Sequence, residues 1–312
     1  GPESCTGAAC DGGSESSTTD GPAADTSVTD GGGGDAGADA DSSIPVSCGD
    51  GGAGTLDPTF GDGGVVWLYD TYGATSVSYL ADGKILVAGR LAAPQLAVVR
   101  LRHDGSLDPA FGDAGIAAFT VGTASRSLDA VATQADGKIL AAGTARFGSA
   151  TPYMIVIRLE TNGALDSTFG DAGVVVSSFG GAAWGLAPTP DGRLLVSGQT
   201  VDYELLRLNA DGKADVTFGA SGRATADIRG TNDYPGWLTP VPGNRYVVSG
   251  GSDTTPASNV ADFSFARFND HGGLDTAFGD AGKVVVALGS NSAVSGVAVQ
   301  SDGRLVAGGG TA

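Results

Sequence analysis

The chain has 312 residues, 35 of them acidic and 17 basic, for a formal net charge of −18. That balance argues against nucleic acid, whose phosphates reward Lys and Arg, and against anionic membrane surfaces. No apolar run approaches the ~18 residues of a transmembrane helix.

Residues 1–50 hold ten of the acids and none of the bases, among Gly, Ser, Thr and Ala. Such a segment lacks the apolar surface to offset its ordering entropy, so residues 1–53 are expected to be a disordered acidic linker. All three cysteines, Cys5, Cys10 and Cys48, fall in it. A Cys5–Cys10 bridge and free thiols are both open, and disulfides do not hold the remainder together. The chain begins at Gly1 rather than Met, so an upstream piece is expected. Export is expected from the style of composition, although no signal or lipid-attachment motif is visible.

From residue 54 onward one phrase recurs. Leu-Asp-x-x-Phe-Gly appears at Leu56–Gly61, Leu107–Gly112, Leu165–Gly170 and Leu274–Gly279, with a variant at Ala214–Gly219. Successive phenylalanines (Phe60, Phe111, Phe169, Phe218, Phe278) are 51, 58, 49 and 60 residues apart. Periods of that size mark propellers, solenoids or arrays. Each unit holds four short runs rich in Val and Ile, bounded by Asp-Gly or Asn-Gly. These read as antiparallel strands joined by tight turns. Four such strands per ~50 residues is the arithmetic of an all-β propeller blade.

With strands a to d counted outward from the axis, Val65–Tyr69 reads as a lone d strand. Blades follow at about 75–121, 128–179, 182–228 and 234–288, then strands a and b of a fifth at 293–299 and 304–308. Strand c of that last blade is missing. The ring is therefore expected to be truncated at its C-terminus, the alternative being a natural three-stranded closing blade.

The combined pattern Asp-Gly-Lys-Ile-Leu-x-Ala-Gly (Asp82–Gly89, Asp136–Gly143) followed by Arg-Leu-x-x-x-Gly-x-Leu-Asp-x-x-Phe-Gly resembles the delta-60 repeat of bacterial, often myxobacterial, secreted or surface proteins. The resemblance covers about residues 54–310. It implies a β-propeller-like array with no assigned catalytic activity. Two places depart from the pattern: Gly243-Asn244-Arg245 stands for Asp-Gly-Lys, and Ala214 for Leu.

Arg100, Arg158, Arg207 and Arg267 each precede Asp108, Asp166, Asp215 and Asp275 by eight residues. A hairpin across the intervening turn sets each Arg opposite its Asp, with Leu101 facing Leu107 and Leu159 facing Leu165. Because every blade repeats the pair, we read it as a structural fastener rather than a ligand site. The phenylalanines read as plugs between blades. Asp62, Asp113, Asp171 and Asp280, after Phe-Gly, match no Ca²⁺ loop spacing and are expected in Asx-type turns. His103 and His271 lie on separate rim turns, and no nucleophile elbow, phosphate loop or His-Glu-x-x-His is present. No catalytic residue, metal or cofactor is expected.

Function is then sought where the copies disagree. The d–a loops carry Tyr69, Tyr72, Arg126, Trp184, Arg229, Asn232, Asp233, Tyr234 and Trp237, and the b–c loops carry Arg146 and the stretch Ser252–Asn259. Aromatic, Arg and Asn residues on loops of a rigid scaffold suit recognition. The leading expectation is a monomeric, non-enzymatic, exported or surface propeller that binds protein or glycan. The alternatives are a propeller enzyme of lactonase, lyase or sugar dehydrogenase type, and a structural spacer without a ligand.

Overall fold

Eighteen β-strands and no helix are found among the described residues. The computed structural model describes residues 55–311, except 69–70, 92–94, 149–151, 231, 256–259 and 289–290. The expected linker over 1–53 and its cysteines lie outside the described residues. Within the compact unit Cys48–Ala312, blade one contains β1 (Thr71–Tyr79), β2 (Ile85–Leu91), β3 (Gln95–Leu101) and β4 (Ile116–Thr120). Blade two contains β5 (Ala124–Thr133), β6 (Ile139–Arg146), β7 (Pro152–Leu159) and β8 (Val174–Gly180). Blade three contains β9 (Ala182–Pro188), β10 (Leu194–Gln199), β11 (Tyr203–Leu208) and β12 (Arg223–Ala226). Blade four contains β13 (Asp233–Val241), β14 (Arg245–Asp253), β15 (Ala261–Phe268) and β16 (Lys283–Val286). A two-stranded sheet of β17 (Ser292–Val299) and β18 (Leu305–Thr311) comes last. Each sheet is an antiparallel meander in chain order, and the inner strands β1, β5, β9, β13 and β17 contact one another in succession.

Burial follows from that stacking. β6, β7 and β11 are buried along nearly their whole length, because a neighbouring sheet covers each face. Four apolar cores lie between sheets rather than within them. Phe111 joins Leu86 and Leu96 of blade one to Ile139 and Ile157 of blade two. Phe169 does the same for blades two and three, Phe218 for three and four, and half-buried Phe278 packs toward β18.

All five inner strands carry a β-bulge against their second strand, at Thr75, Asp129, Trp184, Gly236 and Ser295. The glycine that closes Lys-Ile-Leu-x-Ala-Gly stands beside it. A Cβ on Gly143 would strike the carbonyl of Ser127, and one on Gly250 that of Tyr234. The bulge pushes the inner-strand carbonyl toward the second strand, so only glycine fits.

Two expectations are corrected. Residues 65–68 are not a strand: Val65 bridges only Asp62 across its own turn, and Trp67 is 65% exposed. A strand needs an edge to pair with. The outer strands β4, β8, β12 and β16 each pair with the third strand of their sheet, and none stands beside 65–68 among the described residues. The Asp after Phe-Gly is not held in an Asx turn either. Asp113 and Ile116 exchange backbone bonds of 2.7 and 3.1 Å, and Ala114 and Gly115 both take positive φ. That is a backbone-closed type I′ turn. The Asx geometry belongs to the Asp-Gly turns, where Asp136 Oδ1 accepts the Lys138 N–H at 3.1 Å.

Candidate functional site

Each repeated Arg is bonded to its Asp and stacked on its Phe, and Arg100, Arg158 and Arg207 also reach a carbonyl of the next blade. Arg158 Nε donates to Asp166 Oδ2 at 2.6 Å, its Nη1 donates to the Ala210 carbonyl of the next blade at 2.6 Å, and its guanidinium lies 4.4 Å above the Phe169 ring. Asp166 Oδ1 accepts the Thr168 N–H and hydroxyl, and Oδ2 also takes Lys138 Nζ at 2.7 Å. Arg100–Asp108, Arg207–Asp215 and Arg267–Asp275 repeat the pair at 2.8, 2.9 and 2.8 Å, each Arg over its Phe. Leu101 and Leu107 are bridged, as are Leu159 and Leu165. Phe-Gly completes the clamp: Gly112 N–H donates to the Asn162 carbonyl and Gly170 N–H to that of Asp211. Around Arg158 these groups satisfy one another, as suits a fastener; the Arg267 clamp is more open and borders a surface cavity. The carboxyls are held low. Burial opposes the shift at Asp215, but Thr217, Arg193 and Arg207 outweigh it and bring the group to about 2.

The unrepeated residues divide differently. Tyr69 lies outside the described residues. Tyr72 and Arg126 sit within β1 and β5, and their side chains are not described. Arg146 ends β6 on blade two, where Phe147 packs edge-on against Tyr153 at 6.0 Å. The remaining six gather where blade three meets blade four. Trp184 and Trp237 stand on the adjacent inner strands β9 and β13, 42% and 50% exposed. Gly185 lets those backbones meet: a Cβ there would lie 2.9 Å from Leu238. Arg229 Nη1 pairs with Asp262 Oδ2 at 2.7 Å, while Asn232 Nδ2 and the Tyr234 hydroxyl donate to Asp253 Oδ2 at 3.3 and 3.1 Å. The backbone is tied as tightly, with Asp233 N–H on the Val201 carbonyl and Asp253 N–H on that of Asn232, both 3.0 Å.

Asp233 itself is fully buried. Its Oδ2 accepts the Ile228 N–H at 2.8 Å. Burial lifts its carboxyl to about 6; the Ser252 hydroxyl and the Ile228 N–H pull it back, and the charges of Asp202 and Asp227 push it further up. Asp202 is likewise raised, by burial and by Asp227, with Arg223 acting in the opposite sense. Carboxylate oxygens of Asp202, Asp227 and Asp233 lie within 4.8 Å of one another. Sequence reasoning singled out Asp233 but missed Asp202 and Asp227. They come from a b–c turn and a d–a loop, so no local spacing joins them. Glu204, notable in the sequence as one of two glutamates in the repeats, is buried and takes Arg223 on both oxygens at 2.8 and 3.0 Å.

Comparison with known proteins fits the fold. Residues 80–111, 134–169 and 189–218 match a family model described as a beta-propeller domain of unknown function (DUF5122). Each matched stretch ends on the phenylalanine of a clamp. A search of curated proteins gives no match. Among solved structures, a protein of unknown function from Bacteroides caccae aligns at 13% identity and TM-score 0.42, over 71% of this chain and 63% of that one. A protein from Lactobacillus plantarum aligns at 14% identity and TM-score 0.44, over 77% and 65%. The chain thus spans under two thirds of the length of either. A GH43 endo-arabinanase from Bacillus licheniformis aligns at 15% identity and TM-score 0.42, over 78% and 91%. Likenesses at this level carry no argument about activity.

Proposed function

We propose that this chain is a non-enzymatic propeller scaffold of the delta-60 type, exported or displayed at a cell surface, that binds protein or glycan where blades three and four meet. The observation that carries the reading is the Trp184–Trp237 pair. Both occupy positions that the repeat does not fix, both are about half exposed, and both stand on strands whose backbones are locked together. Large rigid aromatics beside hydrogen-bonding groups cost little side-chain entropy on binding. The repeated Arg and Asp are consumed by the clamps, which leaves the unrepeated loop as the recognition chemistry. Export rests on the resemblance and on the acidic Gly- and Ser-rich segment.

The test is a glycan and protein binding screen, read by tryptophan fluorescence, on the wild type and on a Trp184→Ala/Trp237→Ala double variant. A ligand held by the wild type and lost by the double variant, at unchanged thermal stability, supports the reading. Equal binding by both proteins sinks it. Cell fractionation tests the location.

A further inference from the structure

We propose that Asp202, Asp227 and Asp233 form a Ca²⁺ site that pins the loop between blades three and four. This inference stands whatever the neighbouring tryptophans recognise.

Three carboxylates come together here from three places. Asp202 belongs to the turn between β10 and β11, Asp227 to the loop after β12, and Asp233 opens β13. Their oxygens lie within 4.8 Å of one another. Two oxygens bound to one Ca²⁺ at about 2.3–2.6 Å stand at most about 4.6–5.2 Å apart, so the cluster has the span of a shared ion.

A second observation points to a ligand independently of the cluster. Asp233 Oδ1 and Ser252 Oγ, both fully buried, make no hydrogen bond of full geometry among the described residues. Ser252 is the cross-strand partner of Asp233, and its hydroxyl acts on the Asp233 carboxylate. Buried polar atoms normally find a partner, and a native exception calls for an explanation such as an ion or water. Here an oxygen of a buried carboxylate is the exception, with two more carboxylates beside it.

Nearby cations are engaged elsewhere. Arg223 forks onto both oxygens of Glu204. Lys283 Nζ donates to the Asp227 backbone carbonyl at 2.7 Å, not to its carboxylate. Arg229 is paired with Asp262. The repeat's own carboxylates each have a dedicated Arg bonded to them, whereas in this cluster Arg223 acts by its charge on Asp202 while its fork sits on Glu204. All-oxygen donors on loops of different blades suit a hard cation that tolerates irregular coordination. That describes Ca²⁺ rather than Mg²⁺, which demands near-octahedral geometry.

The experiment is calorimetric titration of CaCl₂ into chelator-treated full-length protein, with thermal unfolding in parallel. One ion per chain is expected, with a dissociation constant of about 10⁻⁴–10⁻³ M as in extracellular modules, and a higher Tm in Ca²⁺. Asp233→Asn should weaken binding by at least about tenfold, a loss that even outer residues of metal sites produce. Asp202→Asn, on a half-buried turn, serves as a second variant should the first fold poorly. The proposal is overturned if no heat or Tm change appears at 10 mM CaCl₂ (roughly ten times the weakest expected dissociation constant), if binding is unchanged in both variants, or if MgCl₂ binds equally well.

Discussion

The clamp joining blades two and three and the loop joining blades three and four both bury carboxylates, with opposite results. At the clamp, Asp166 is surrounded by Arg158, Lys138 and the Thr168 N–H, and burial is outweighed so that the carboxyl stays well below its ordinary range. At the loop, Asp233 has one backbone donor and two acidic neighbours, and its carboxyl climbs to about 6. The first arrangement is repeated down the chain and is electrostatically complete. The second is found once among the described residues and has no Arg bonded to Asp233. Saturated charge at a repeated position builds the fold, while unsaturated charge at a singular position invites a ligand.

That contrast can be broken experimentally. The largest effect should come from Phe169→Ala, which empties a fully buried plug and should cost about 3–5 kcal/mol in denaturant unfolding. A cost under about 1 kcal/mol would mean that the plugs are not the cores. Next, removing Asp166 alone should cost about 3–5 kcal/mol, since it leaves Arg158 buried without its carboxylate; removing Arg158 alone should cost less, because Lys138 still reaches Asp166. The double variant should lose clearly less than the sum; additivity would show that the two are not a unit. The Arg267–Asp275 pair is more exposed, at 17% and 14% against 7% and 1% for Arg158 and Asp166. The same cycle there should give a smaller coupling energy, and an equal one would show that burial does not set the strength.

A milder effect is expected in acid. The folded carboxyls of Asp108, Asp166, Asp215 and Asp275 lie below the unfolded value of about 3.9. Their contribution is therefore complete above pH ~4 and fades as pH falls through the folded values, about 2 for Asp215. Denaturant midpoints at stepped pH should fall in that window, whereas Asp233, whose folded value of about 6 lies above the unfolded one, acts in the opposite sense and should lower stability as pH rises from about 4 through 6. An Asp166→Asn variant should show a shallower fall. The smallest effect belongs to Trp184→Ala, which should change stability by only about 0.5 kcal/mol or less, as surface changes do.

Much of this architecture was legible in the chain. Asp-Gly turns and Val- and Ile-rich runs place the strands within a few residues, and the eight-residue interval from Arg158 to Asp166 places the clamp, because both are local. The guanidinium over the Phe ring was not legible, since it depends on where a side chain points after the turn closes. Nor were the bulges, which shift register by one residue without any gap in the apolar pattern. Val65–Tyr69 misled because its composition is that of an outer strand, while pairing depends on a neighbour. The acidic cluster was hidden for the same reason: Asp202 and Asp233 meet only because β13 runs back past the turn of the blade before it.

The four cores lie between sheets, and this changes what counts as the folding unit. A blade taken alone has two apolar faces and no interior, so adding or removing a sheet changes the number of seams rather than enlarging a common centre. Stability should then accumulate seam by seam, as nearest-neighbour terms do in stacked repeats. At the seam between blades three and four that sum would also depend on a dissolved divalent cation.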